Sequence, residues 1–130
     1  MLKYSLLPPV VLVAGCASVG GYLQNDVDQN LTERQAKSVA NDFVGNIKRL
    51  LPSATTTLLI KKNNTANNFT PLFVKLLRQN GYNVIYTDQP QKQPGVYVRY
   101  SIRLNSRVVV SALQYRVNGE PFMHLITQPK

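Results

Sequence analysis

Residues that could do chemistry are few and far apart along this 130-residue chain. It contains one cysteine, Cys16, one histidine, His124, and six carboxylates. A zinc site needs several such ligands, and a catalytic triad needs a base close to its nucleophile. The six scattered carboxylates supply no close pair with a spacing useful for catalysis, and no glycine-rich phosphate loop occurs in the sequence. We therefore expect a binding or structural protein rather than an enzyme, with no catalytic residue, metal or other cofactor.

Cys16 follows a segment with the pattern of a signal peptide. Lys3 supplies a positive charge, and the apolar run 6–13 is too short to span a bilayer. The small residues Ala14 and Gly15 come directly before the cysteine. A plain secretory signal with an incidental thiol is the alternative, but the position and flanks of Cys16 favour a modified cysteine.

The sequence Val13-Ala14-Gly15-Cys16 resembles the lipobox of bacterial lipoproteins. The resemblance implies that the Cys16 thiol takes a diacylglycerol, that the chain is cut before it, and that the new amine is acylated, for example with palmitate. Two or three acyl chains, at about 0.8 kcal/mol per buried methylene, anchor a protein stably to a membrane. Ala17 rather than aspartate follows Cys16, which in such lipoproteins implies the inner leaflet of the outer membrane, with the domain in the periplasm.

The rest of the chain is long enough for one domain. We predict a lipoprotein signal peptide over 1–15. Over 16–30 we predict the lipidated cysteine and a flexible tether, because this stretch holds Gly20-Gly21 and a polar cluster with little apolar periodicity. We predict a globular domain over 31–130.

Basic residues are concentrated in that domain. The chain has 15 Lys and Arg against 6 Asp and Glu. Three basic residues precede Lys48, which leaves 12 from that position onward against Asp88 and Glu120 alone. Such a surface attracts anionic partners, whether lipid head groups, acidic proteins or nucleic acid.

Apolar residues at three- and four-residue steps predict two helices. The first begins after a cap at Asn30 or Thr32, and the second runs from Asn67 or Thr70 to Asn80.

Strand signals fill the remaining stretches. Runs at 54–61, 82–86 and 96–104 are β-branched or alternate in polarity, and two more strands follow, bounded by turns at Asn105-Ser106 and Asn118-Gly119. The first two of these strands flank the second helix, which predicts a parallel crossover unit. The predicted fold class is α+β: two helices packed on one face of a mixed sheet of about five strands, in the order α-β-α-β-β-β-β.

The two turns set the strand pairing. Pairing Leu104 with Arg107 places Ile102 beside Val109, and pairing Val117 with Glu120 places Phe122 beside Tyr115 and His124 opposite Leu113. This register gives one apolar face for the helices to cover. It also makes His124 a packed or rim residue rather than a base or metal ligand.

The opposite face of this sheet collects Tyr97, Arg99, Arg103 and Arg116 among short aliphatic residues. Arg and Tyr are enriched at protein interfaces, so we predict a partner-binding face. A solvated sheet face covered by arginine stems is the alternative. Direct nucleic-acid binding is not expected, because single strands need aromatic residues on adjacent strands and Tyr97 stands alone. Nothing indicates a small-molecule substrate.

The order of these features resembles the TrbH family of conjugal-transfer lipoproteins. The resemblance is carried by the lipobox, by a helix ending Leu50-Leu51-Pro52-Ser53-Ala54-Thr55-Thr56, by a helix with Phe69, Leu76-Leu77-Arg78 and Gly81-Tyr82, and by a valine-rich C-terminal meander. It implies a structural envelope component of a type IV secretion apparatus that moves DNA between cells. Its partners would be the outer membrane, through Cys16, and other envelope proteins of that apparatus.

Rival interpretations keep the anchor and change the partner. An outer-membrane lipoprotein could instead be a pilotin or secretin-type accessory module, or an activator of a peptidoglycan synthase. The second class commonly has a long disordered tether, whereas only about fourteen residues are available here, too few to cross the periplasm as a coil.

Overall fold

The computed structural model describes residues 25–62 and 65–130. The elements in chain order are β1 (Asp26–Val27), α1 (Glu33–Leu50), a 3₁₀ turn (Ser53–Thr55), β2 (Thr57–Lys61), α2 (Thr70–Gln79), β3 (Asn83–Thr87), β4 (Val96–Tyr97), β5 (Arg99–Leu104), β6 (Val108–Val117) and β7 (Glu120–Pro129). The small α+β domain with two helices is confirmed. Neither of the described helices is long and apolar enough to cross a membrane.

α1 begins at a reciprocal cap. The Thr32 hydroxyl accepts a hydrogen bond from the Gln35 N–H, and the Gln35 side chain accepts one from the Thr32 N–H. This capping box satisfies two of the orphan donors at the helix start, which is why Thr32 rather than Asn30 is the cap. One stripe of the helix is buried: Ala36, Val39, Ala40, Phe43, Val44, Asn46 and Ile47.

The predicted parallel crossover is present. β2 and β3 pair in parallel, with Leu58 beside Val84, and α2 connects them. The Asn67 side chain accepts hydrogen bonds from the N–H groups of Phe69 and Thr70 and so caps the first turn of α2. The chain leaves the helix through Gly81, whose φ of 93° favours glycine.

The strands form two sheets, where the sequence predicted one. A parallel sheet has the order β3-β2-β4, and a mixed sheet has the order β1-β5-β6-β7. The chain passes from one to the other at Val98, whose N–H donates to the Leu59 carbonyl of the parallel sheet, while Arg99 already pairs with Gln114 of β6. The alternating pattern over 96–104 continues through this point, so it predicted a single strand.

β1 lies in the range 16–30 that the sequence assigned to a tether. In the structure Asp26–Val27 pairs in parallel with β5, and Val27 is buried. A strand of two residues is too short to leave a periodic signal, so the pattern could not indicate it.

The two hairpins differ in how well the turns predicted them. The β6–β7 register is confirmed: Tyr115 faces Phe122, and Asn118 and Gly119 adopt φ of 52° and 83°. The predicted pairing of Leu104 with Arg107 is wrong, because Leu104 pairs with Val109. The Asn105 side chain accepts from the N–H groups of Arg107 and Val108 and moves the turn along the chain. The shift is two residues, so each side chain keeps its predicted face.

One core joins both sheets to both helices. Phe43, Phe69, Phe73 and Tyr100 have ring centroids 5.1–5.8 Å apart, mostly edge to face, and none of them is exposed. The buried Tyr100 hydroxyl lies 2.6 Å from the hydroxyl of buried Thr70, so this polar pair is satisfied inside the core.

Candidate partner-binding face

The four predicted residues lie on the outward side of the strands but do not form one cluster. Tyr97 is 41% exposed, and the Arg99 guanidinium lies 5.1 Å from the centre of its ring. Arg116 is exposed on the neighbouring strand β6. Arg103 is four residues further along β5, about 13 Å from Arg99. The structure therefore brings Tyr97, Arg99 and Arg116 together and leaves Arg103 apart.

A fork between strands creates the site at which these three residues meet. β5 and β6 pair from Leu104 with Val109 down to Arg99 with Gln114. Continued in the same register, the ladder would pair Tyr97 with Arg116, yet Tyr97 pairs with Leu59 of the other sheet. The two strands thus separate below Arg99.

The groove in this fork has a volume of about 640 Å³. One wall comes from β4 and the start of β5, and the other from the end of β6 and the β6–β7 turn: Gly95, Val96, Tyr97 and Arg99 against Gln114, Tyr115, Arg116, Asn118, Gly119 and Pro121. No carboxylate lines it. The groove is therefore electropositive and suits an anionic group.

Backbone groups also face this groove. Successive residues of a strand point their N–H and C=O to opposite sides. Val98 N–H bonds to β2, so the N–H and C=O of Tyr97 point away from β2 towards the groove. Asn105 N–H donates to the Val108 carbonyl, so the backbone groups of the even-numbered residues of β6 point towards β5. Arg116 is one of these residues, and its N–H and C=O therefore also point towards the groove. Strand-type donors and acceptors thus line both walls.

The Arg116 side chain is held at the turn. Its Nη1 donates to the Gly119 carbonyl at 2.8 Å, which keeps the guanidinium beside the groove. Two arginines, one tyrosine ring and two strand edges make a surface that can hold an extended, acidic chain segment. They include no group placed to act as a nucleophile or general base.

A smaller cavity of about 250 Å³ lies on the other side of Tyr97 and Arg99. It is lined by the outer face of the parallel sheet and by the loop after β3, which contributes Asp88. The loop approaches the sheet closely at Gly95, where an added Cβ would lie 2.8 Å from the Leu59 side chain and 3.1 Å from the Thr57 carbonyl. Only glycine fits there without displacing β2.

Arg103 is engaged within the chain. It forms an exposed ion pair with Asp26 of β1. Next to it, the Asp28 carboxylate accepts from the N–H groups of Asn30 and Leu104, and these two hydrogen bonds hold the pKa of Asp28 below its usual value. Both contacts fix β1 to β5. The sequence could not indicate them, because Asp26 and Asp28 lie in the stretch predicted as a tether.

His124 links β7 to α1. It lies opposite Leu113, as predicted, and its Nε2 is 2.9 Å from Asp42 Oδ2, with both side chains half-buried. In the part of the chain that the structure describes, no three His, Cys, Asp or Glu side chains are grouped as metal ligands.

The predicted lipidation site Cys16 and its lipobox residues Val13, Ala14 and Gly15 lie outside the described residues.

The chain is similar to a known protein family. The family model described as "Conjugal transfer protein TrbH" matches residues 18–118. The match covers β1 to β6, both helices and most of the groove, and ends in the β6–β7 turn. No curated protein matches the chain. Because the matched range is well over half of the sequence, the chain belongs to the TrbH family of conjugal transfer proteins.

Proposed function

We propose that this protein is an outer-membrane lipoprotein and a structural component of a conjugative type IV secretion system. Fatty acids on Cys16 would hold it in the inner leaflet, and the domain would bind other envelope proteins in the periplasm. The observation that carries the proposal is the family match over residues 18–118, since conjugal transfer needs an assembly across the cell envelope. The signal-peptide pattern before Cys16 supports the anchor.

The position of the fold in the sequence limits how far the domain stands from the membrane. Asn25, the first residue that the structure describes, hydrogen bonds to Lys61 and Tyr100. The segment from Cys16 to Asn25 reaches at most about 30 Å when fully extended. A domain on so short a tether meets proteins at the membrane surface rather than across the periplasm.

The groove supplies the chemistry for such a partner. The groove is lined by Tyr97, Arg99 and Arg116, and among the residues that the structure describes no carboxylate lines it. The chain as a whole carries a net charge of +9. An extended acidic segment would gain charge-assisted hydrogen bonds from the arginines and backbone bonds from the open strand edges. We therefore propose Tyr97, Arg99 and Arg116 as its centre, with Arg103 at the periphery.

The anchor is tested by Cys16→Ser in the full-length gene. We expect the unsubstituted protein in the outer-membrane fraction, with its mass increased by diacylglycerol and one further acyl chain. We expect the Cys16→Ser variant to lose both the outer-membrane location and the added mass. The measurements are membrane fractionation and intact-protein mass spectrometry. A free thiol at Cys16 in the unsubstituted protein would refute the anchor.

The face is tested by the double substitution Arg99→Glu and Arg116→Glu. The matched control reverses two exposed charges on α1, Arg34→Glu and Lys37→Glu, so that both variants have the same net charge. We expect only the first variant to lose crosslinked envelope partners and to lower transfer frequency by tenfold or more, since removing one partner of a buried, hydrogen-bonded charge pair costs about 2–5 kcal/mol of binding free energy. Both variants should stay folded, because none of the four substituted side chains is buried, and thermal unfolding measures this. Equal loss in both variants would exclude the groove.

A further inference from the structure

β7 forms an open edge of the mixed sheet and carries the usual protection of such an edge only at its ends, as Pro121 and Pro129. Among the described strands its only neighbour is β6. It is ten residues long, and between Pro121 and Pro129 it contains no Lys, Arg, Asp or Glu. Edge strands are normally kept from pairing by charges, prolines, bulges or short length, and the stretch between the two prolines has none of the first three among its residues. Its inner side is held by α1 through Ser38 and Asp42, so the strand is fixed in place with its edge exposed.

The backbone groups on this edge can be assigned. Lys130 N–H donates to the Arg107 carbonyl, which places the even-numbered residues of β7 on the β6 side. The odd-numbered residues therefore point their N–H and C=O outwards. Pro121 and Pro129 have no N–H, which leaves Met123, Leu125 and Thr127 as the edge donors. These donors lie symmetrically about Leu125.

Two of the three side chains at these positions are apolar and exposed. Leu125 is 67% exposed, the highest value among the large apolar residues that the structure describes, and Met123 is 41% exposed. Val110 on β6, which is 39% exposed, lies on the same outward face. An apolar patch beside an open strand edge is typical of an interaction surface.

We infer that β7 pairs antiparallel with β7 of a second copy of this chain, about a two-fold axis through Leu125. In this register Leu125 faces Leu125 of the other copy, and Met123 faces Thr127. Every edge N–H between the prolines then meets a C=O. At each end Pro121 of one copy faces Pro129 of the other, and this pair adds no hydrogen bond because proline has no N–H. The edge is thus complementary to itself, as a two-fold interface requires.

Charge favours the same pairing. The domain is strongly basic, and two copies repel each other wherever their basic surfaces meet. β7 is uncharged between its prolines, and in this register Glu120 of one copy lies opposite Lys130 of the other at both ends of the ladder. The two-fold axis is perpendicular to the sheet, so the helices of both copies lie on one side and both outward faces lie on the other.

Cysteine crosslinking of the full-length protein in membranes tests the register. Cα atoms in a hydrogen-bonded antiparallel pair are about 5.5 Å apart, within the range for a disulfide. We expect Leu125→Cys to give a covalent dimer on oxidation. Thr127→Cys is the matched control: Thr127 and its copy would be about 13 Å apart along the strands, so it should not crosslink alone. Combined with Met123→Cys, it should crosslink again. The unsubstituted protein measures the background from Cys16.

Charge exchange gives a second, independent readout. In the Leu125→Cys background, Glu120→Lys should weaken dimerisation by roughly tenfold, since two exposed ion pairs become repulsive. Adding Lys130→Glu should restore it. Failure of Leu125→Cys to crosslink, equal crosslinking of Thr127→Cys alone, or no recovery in the charge exchange would each overturn the inference. A crosslink to a different protein would show that another strand occupies the edge.

Discussion

The two faces of the mixed sheet are built from the same strands and differ in burial. On the inner face Tyr100, Ile102 and Leu113 are fully buried under the helices. On the outer face Leu125 and Met123 are 67% and 41% exposed, although their strand pairing is as regular. The pleat turns alternate residues to the two faces, so the inner ones determine stability and the outer ones are available for binding.

The outer face of the parallel sheet adds a second contrast. Leu59 points away from the main core there, yet it is only 2% exposed, because the chain approaches at Gly95 and covers it. The protein therefore shields the outer face of one sheet with its own loop and leaves that of the other open.

The largest expected effect comes from a substitution inside the aromatic core. Phe73→Ala removes a ring that contacts Phe43, Phe69 and Tyr100, and should destabilise the domain by about 3–5 kcal/mol. Met123→Ala, its counterpart on the outer face, should change the unfolding free energy by about 0.5 kcal/mol or less. The measurement is the midpoint of urea unfolding for each variant. Similar losses in both would mean that the outer face is structural and would weaken the case for a partner there.

The sequence could predict the features that depend on neighbouring residues, but not those that depend on which distant strands pair. Local patterns determine the helices, the crossover and the Asn118-Gly119 hairpin, because periodicity and turn chemistry reside in neighbouring residues. The groove depends on a change of hydrogen-bond partner at Val98, and the alternation of side chains is the same on either side of it. The sequence thus predicted Tyr97, Arg99 and Arg116 on one face but not the fork between them.

A smaller effect is expected from removing one buried hydroxyl. Tyr100→Phe leaves the buried Thr70 hydroxyl without its partner and should cost about 1–3 kcal/mol at neutral pH. Tyr97→Phe removes an exposed hydroxyl on the outer face and should be almost neutral. Denaturant midpoints at pH 7 compare the two.

Alkaline pH sharpens this comparison, since burial raises the pKa of Tyr100 well above its ordinary value of 10.0. A raised pKa means that the unfolded state loses its proton first. The stabilisation is therefore complete below pH 10 and is lost as the pH rises from there through the folded-state pKa. Burial also raises the pKa of Tyr115, to about 12, so the parent protein should lose stability steeply above pH 10. Tyr100→Phe should lose stability less steeply than the parent. Parallel alkaline curves for the parent and Tyr100→Phe would show that the Tyr100 hydroxyl is not held in the core.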